Sequence, residues 1–352
     1  MAIIKNPLTV VSGGGATEDW GTVTYLDGND QSQTATIQSM VEFASLCSDL
    51  TTYDATIDGN TIQNTRITGV SIGTSVNVLP NYFLRGCTLL TSLSGIENVD
   101  VVGNYFMAGC TAFNQSLTMS NDLVNIGSNF LNGCTSFNQT ITLSNKLTNI
   151  GYSFLHECTA FNQPLTIPNT VKSIGAYFLY RCRVFNQPLT LPNALTTIND
   201  SFMESCNAFN QPITLASTIT SLGRVFMAGC DVFNYPLTIP SGVTSIGPYF
   251  LQNNYAFNQP LTLPSTITSI GQYFLNGCDS MVSTIDIGDL QTSIFGSQSA
   301  STKWATLSTP NSNADCYTIG IGIKGTYASD WLTYFPNGTN SGWYRNLRQV
   351  TS

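Results

Sequence analysis

Charge is scarce in this 352-residue chain: 9% of its residues are Asp, Glu, Lys or Arg, against roughly 25% in an ordinary globular domain. Its polar surface must therefore be built from Ser, Thr, Asn and Gln. Basic residues are scarcer still, 12 against 20 acidic ones for a net charge of −8. Without a positive field, phosphates go unneutralised, which excludes nucleic acid and anionic membrane surfaces as partners. The only histidine is His156, so little in the sequence can exchange protons near neutrality. Long apolar runs are missing, which excludes insertion into a membrane. The opening stretch from Met1 to Val11 carries one Lys and a short apolar patch before Ser12-Gly13-Gly14-Gly15. It lacks the apolar core and cleavage site of a secretory signal. The expectation is a protein that leaves its cell by lysis or by assembly into a particle.

Apolar side chains, by contrast, are plentiful. With 42% hydrophobic and 11% aromatic residues, the chain has material for a large core, which argues against disorder and coiled coil. Their order is periodic. Cysteines recur every 24 residues at Cys110, Cys134, Cys158, Cys182, Cys206 and Cys230, Asn254 takes the next slot, Cys278 resumes it, and Cys87 precedes the series one residue out of step. Phenylalanine keeps the same beat from Phe106 to Phe274, and a second time from Phe113 to Phe257. Such self-similarity marks a solenoid, whose units bury their apolar faces only against stacked neighbours.

Each position in the unit has a physical reading. Phe154, Cys158 and Phe161 are spaced i, i+4, i+7, one face of a short helical turn. Leu165 and Ile167 alternate with Thr166 between Pro164 and Pro168, a short strand with one buried face. Val171 and Ile174 add a second apolar pair. The column Gly103, Gly127, Gly151, Gly175, Gly223, Gly247 and Gly271 is interrupted by Asn199, which predicts a left-handed backbone there. Asn114, Asn138, Asn162, Asn186, Asn210, Asn234 and Asn258 predict a ladder of amides satisfying the backbone of a tight corner.

The unit from Leu165 to Cys182, Leu-Thr-Ile-Pro-Asn-Thr-Val-Lys-Ser-Ile-Gly-Ala-Tyr-Phe-Leu-Tyr-Arg-Cys, resembles the BspA-like class of leucine-rich repeat. The segment Cys87-Thr-Leu-Leu-Thr-Ser-Leu93 keeps the short L-x-x-L spacing of that class, whereas Phe161-Asn-Gln-Pro-Leu165 departs from it by one residue. The Phe-Asn-Gln-Pro variant is similar to repeats of bacterial surface proteins. The resemblance covers about residues 70 to 296. It implies the fold and, for function, adhesion to a host surface.

The expected architecture is a right-handed α/β solenoid of BspA-like leucine-rich repeats, 24 residues each in about nine coils, roughly 45 Å long at strand spacing. Residues 1–69 form an N-terminal anchor and cap, with a hinge at Gly13-Gly14-Gly15 and a helix between Ile37 and Leu50; residues 70–296 form the solenoid. Residues 297–352, with Trp304, Tyr317, Trp331, Tyr334, Phe335, Trp343 and Tyr344, form an aromatic-rich C-terminal cap or module. Open solenoid ends need such covers.

Chemistry is weighed against the plainer reading at each candidate. The stacked cysteines have parallel Cβ vectors and no C-x-x-C, so they read as buried free thiols, neither disulfides nor metal ligands. His156 among variable turn positions reads as a surface residue and not a base. No nucleophile motif, phosphate loop or carboxylate pair appears, so no enzyme, cofactor or metal is expected. The outward Thr118, Thr142, Thr166, Thr190, Thr214, Thr238 and Thr262 could suit ice or glycan, but Thr is simply a good exposed strand residue.

Positions fixed by folding recur, and positions free of it vary. Around the Cys slot the central coils carry His156, Glu157, Tyr180, Arg181, Arg183, Glu204, Asn207, Arg224 and Asp231, where outer coils carry Ala-Gly or Asn-Gly. One reading is ridge decoration, with Glu157 and Arg181 a weak surface ion pair. The other is a ligand-binding patch. The expectation is a non-enzymatic virion protein, a phage tail-tip, fibre or head-fibre component that binds a host protein or glycan. It would be made in the host cytoplasm, meet other virion proteins through its N-terminal segment, and self-associate as a homo-oligomer. Open alternatives are a capsid decoration protein and a cell-surface adhesin of a bacterium or protist.

Overall fold

Alternation of Leu or Ile with Thr, cut short by proline, leaves room for strands of only two residues, and such short strands hold only by pairing with neighbours. In the computed structural model, which describes residues 18–281, 283–290, 293, 321–326, 329 and 347–349, they pair from coil to coil. One face stacks Val78–Leu79, Val101–Val102, Asn125–Ile126, Asn149–Ile150 and Ser173–Ile174 as a parallel sheet, and Thr197–Ile198 to Ser269–Ile270 continue as a second. Partners lie one repeat apart, as in Asn125↔Asn149 and Ile126↔Ile150. A second face pairs Leu117–Thr118 with Ile141–Thr142 and Leu189–Thr190 with Ile213–Thr214. The solenoid of about nine coils is therefore present.

Its third side is not helical. Ser153, Leu155 and Glu157 have φ of 57°, 56° and 56°, so every second residue is left-handed. That alternation turns successive amides in opposite directions. Ser153 N donates to Ala176 O, Leu155 N to Phe130 O, and Glu157 N to Tyr180 O, so every second amide bonds to a neighbouring coil, while His156 N and Cys158 N between and after them bond back to Ser153 O and Leu155 O. A helix and this corner share the side-chain spacing, because both point Phe154, Cys158 and Phe161 inward, all three buried. The repeats themselves carry none of the α component of the expected α/β solenoid among their described residues; α1 (Met40–Ala44) lies in the N-terminal unit, capped by Ser39 and shorter than the helix expected over Ile37 to Leu50.

The glycine column is also corrected. Gly103, Gly127, Gly151, Gly175, Gly223, Gly247 and Gly271 do not have positive φ. They are there because consecutive coils touch: a Cβ on Gly127 would lie 2.4 Å from the carbonyl carbon of Gly103. Asn199 fills its slot by donating its amide to Ile174 O.

Stacking makes the core continuous. Phe106, Phe130, Phe154, Phe178, Phe202, Phe226, Phe250 and Phe274 form one column with successive centroids 4.9–6.1 Å apart, and Phe113 to Phe257 form a second at 5.7–6.0 Å. Each buried side chain contributes roughly 1.5–3 kcal/mol, which no coil could collect alone. The N-terminal unit covers the first coil. Strands β1 (Gly21–Leu26) and β2 (Ser32–Thr36) pair antiparallel. A hairpin follows, of β3 (Asp54–Ile57) and β4 (Asn60–Gln63). Strand β5 (Ile67–Ile72) joins β1 on one side and Ser92–Ser94 of the next coil on the other. Phe43 of α1 stacks on Phe83 at 5.5 Å and Trp20 lies 6.4 Å from Phe43, prolonging the aromatic column into the cap. At the far end Ile321–Gly325 pairs with Ile285–Gly288, and Leu347–Gln349 pairs with Ile321–Gly325. The hinge at Gly13-Gly14-Gly15 and the seven aromatics expected in the C-terminal module lie outside the described residues.

Candidate functional site

The thiols point inward. Cys87, Cys110, Cys134, Cys158, Cys182, Cys206 and Cys230 are free and buried, and Cys278 is buried. From Cys110 on, each Sγ–H donates to a carbonyl of the preceding coil, as Cys158 to Leu131 O at 3.1 Å and Cys182 to Leu155 O at 3.0 Å. Burial pushes Cys134 up to about 12 and raises Cys110, Cys158, Cys182, Cys206 and Cys230 as well, so these six thiols stay protonated. Asparagines line the corner beyond it: Asn138 N donates to Asn114 Oδ1 at 2.9 Å, and the same bond recurs from Asn162 to Asn138, Asn186 to Asn162, Asn210 to Asn186, Asn234 to Asn210 and Asn258 to Asn234. These columns serve the fold. Thr118, Thr142, Thr166, Thr190, Thr214, Thr238 and Thr262 are all exposed on the second face.

What varies lies on the left-handed corner. The slot before each cysteine holds Gly86, Gly109, Gly133, Gly229 and Gly277, all with φ between 70° and 81°, but in four central and later coils it holds Glu157, Arg181, Ser205 and Asn253 with φ of 56–60°. The backbone does the same work in both cases: Gly133 N donates to His156 O at 2.8 Å, Glu157 N to Tyr180 O at 2.8 Å and Arg181 N to Glu204 O at 2.8 Å. A side chain in this conformation costs about 1–2 kcal/mol. The pair it allows, Arg181 Nη1 to Glu157 Oε1 at 2.8 Å with side chains 44% and 40% exposed, returns roughly 0.2–1 kcal/mol. Folding thus prefers glycine at both positions.

Around that pair the rings are packed against one another. His156 stacks on Tyr180 at 4.7 Å, Tyr177 meets both edge-on at 6.2 and 5.6 Å, and the Arg181 guanidinium lies 4.9 Å from the Tyr180 centroid. His156 is half-buried in this cluster instead of free at the surface, and its Nδ1 has no hydrogen-bond partner. Burial is the main cause that holds its imidazole below the usual value, helped by Arg181 and opposed by Glu157. Tyr177, 43% exposed, was not among the residues picked out by sequence. Further along the ridge Asn207 donates to Asp231 Oδ2 at 2.9 Å, and Arg224 N donates to Asp200 Oδ1. Arg183 and the Arg224 side chain form no ion pair among the described residues, and Arg183 is exposed. The nine expected patch residues therefore separate into a tight cluster (His156, Glu157, Tyr180, Arg181), a second contact (Asn207, Asp231), and Arg183, Glu204 and Arg224.

Away from the ridge, a half-open cleft of about 510 Å³ lies between the β1–β2 loop and the β3–β4 hairpin, lined by Tyr25, Asp27, Asp54, Gln63 and Arg66 among others. Arg66 closes its floor by donating to Leu26 O and pairing with Asp30. Among the described residues no helix is long and apolar enough to cross a membrane.

Short parallel strands in register, asparagine-laddered corners and stacked phenylalanines define a leucine-rich-repeat type of solenoid. The BspA type leucine rich repeat region matches residues 55–186 and 185–302 in six copies, more than half of the chain, and the protein belongs to that family. It is a repeat family, and no enzymatic family is indicated. A leucine-rich repeat protein from Bacteroides ovatus, solved by crystallography, is similar in fold, with a TM-score of 0.51 and 14% identity over 95% of this chain and 99% of that one. A leucine rich cell surface protein from Faecalibacterium prausnitzii gives 0.35 and 14% over 84% and 98%, and the pneumococcal vaccine antigen PcpA 0.39 and 12% over 81% and 80%. No curated protein matches the chain.

Proposed function

We propose that the protein is a non-enzymatic structural and adhesion component of a bacteriophage virion, at the tail tip, a fibre or a head fibre, which binds a host surface through the ridge of its solenoid. The observation that carries the binding role is the ridge itself. Inside, each coil repeats its neighbours; outside, two central coils hold the charged Glu157 and Arg181 in a backbone conformation where five other coils use glycine and two use Ser205 and Asn253. The column of reduced, hydrogen-bonded thiols supports synthesis in a reducing compartment, as expected of a protein made in a host cytoplasm and released by lysis. The N-terminal unit is the part proposed to meet other virion proteins, and a homo-oligomer is proposed from the symmetry of fibres.

The test is to label the native protein with a gold-tagged antibody in lysates of the source and image the carrier by electron microscopy. Label on phage particles is expected, its position separating tail from head and so host binding from capsid decoration. Label on cell envelopes with none on particles overturns the virion assignment in favour of a surface adhesin.

A further inference from the structure

The binding reading leaves the ligand open, and the ridge narrows it. A solenoid corner is convex. It offers no groove for an apolar helix, and the amides of Ser153, Leu155, Glu157 and Arg181 are already bonded to neighbouring coils, so a peptide finds no run of free corner amides to extend. What the corner presents is planar: the exposed ring of Tyr177, the ring of Tyr180 covered by His156 and Arg181, and the carboxylate and guanidinium planes of Glu157 and Arg181, each more than a third exposed. Each element is held by another, so the arrangement is ordered before any ligand arrives.

Charge on this stretch of ridge is balanced. Glu157 and Glu204 oppose Arg181 and Arg183, leaving no field to attract an ion of either sign. A carboxylate beside a guanidinium offers acceptors and donors side by side, matching neighbouring hydroxyls, each of which both donates and accepts. An aromatic ring beside them suits the apolar C–H face of a sugar ring.

Resting on the adhesion reading above, we infer that Glu157, Tyr177, Tyr180 and Arg181, backed by His156, form a binding site for an uncharged glycan whose sugar ring lies against Tyr177 and whose vicinal hydroxyls bridge the Glu157–Arg181 pair. The site spans the two coils that contain Cys158 and Cys182. It gives a reason for charged side chains in the slot before cysteine in these two coils, where other coils carry glycine, Ser205 or Asn253 and the backbone hydrogen bond is the same with or without a side chain.

The double variant Glu157→Gly/Arg181→Gly gives each position the residue that other coils already use, so it separates binding from folding. Fluorescently labelled full-length protein is applied to bacteria from the lysed culture, untreated, oxidised with periodate or digested with proteinase K, and to an array of neutral and acidic oligosaccharides. Expected are binding to untreated and protease-digested cells, loss after periodate, and signal on neutral oligosaccharides. The double variant and Tyr177→Ala should each weaken binding by roughly tenfold or more, while the double variant melts no lower than the parent. Undiminished binding by the double variant overturns the site. Binding lost to proteinase but kept after periodate overturns the glycan and leaves adhesion standing, with a protein as ligand. Absence of binding to any cell overturns the adhesion reading and the glycan with it.

Discussion

Asn254 is the residue that fits its column worst. Fully buried in a thiol slot, it accepts Cys230 N on Oδ1 at 2.8 Å, and its Nδ2 has no partner. Adjacent thiols donate to the carbonyl 27 residues earlier, as Cys230 to Met203 O and Cys278 to Leu251 O, so a thiol at position 254 would reach Met227 O. Asn254→Cys should therefore raise stability by about 1–3 kcal/mol, the cost of a buried unpaired donor; a lower melting temperature would refute this. His156 gives a pH dependence of known sign. Its folded pKa lies below the usual 6.5, so the unfolded chain binds the proton more readily, and stability present above pH 6.5 is lost as pH falls through that value. Melting temperatures at pH 7 and pH 5 should differ for the native protein, and the difference should shrink in His156→Asn, which installs the residue found in that slot at Asn132 and Asn276.

The asparagine ladder of the corner and the threonine column of the second face give opposite expectations from similar sequence regularity. Asn162→Ala removes the acceptor of Asn186 N and should cost about 1–3 kcal/mol. Thr166→Ala, on the exposed face, should stay within about 0.5 kcal/mol; thermal melts of the two variants decide it, and equal losses would show that threonine has a structural duty. The columns themselves were legible because a solenoid repeats its own constraints, and the thiols, phenylalanines and asparagines each had a position to fill. The backbone of the third side was not. Spacing of i, i+4, i+7 is shared by a helix and by a corner whose residues alternate in hand, and side-chain identity does not report the sign of φ at Ser153 or Leu155. Close packing of coils, likewise, selects glycine for the missing Cβ and not for its freedom, and both causes leave the same letter in the sequence. At the site, Glu157 and Arg181 stood out because they put charge into a slot that other coils fill with glycine, Ser205 or Asn253, whereas Tyr177 did not, because Tyr105, Tyr249 and Tyr273 occupy the same column. The cleft by Arg66 lies ahead of the regular repeats, where no sister coil serves as a control.

The molecule as a whole is held by contacts between neighbours along one axis. Phe178 stacks on Phe154 at 5.6 Å and on Phe202 at 5.0 Å, so Phe178→Ala opens a gap on both sides and should cost about 3–5 kcal/mol. Because coupling runs only through adjacent coils, that weak point should split the melt into two transitions by calorimetry, where a single sharp transition would show longer-range cooperation. The same geometry governs how such a body behaves under load. Every second amide of the corner bonds to a neighbouring coil, in turn the one ahead and the one behind, so tension applied along the axis falls on all junctions in series, and the weakest opens first. Each opened coil releases 24 residues, about 80 Å of extended chain where it had spanned about 4.8 Å. A pull along the axis would therefore be met coil by coil, each step lengthening the chain by one repeat and dissipating work before the next junction gives way.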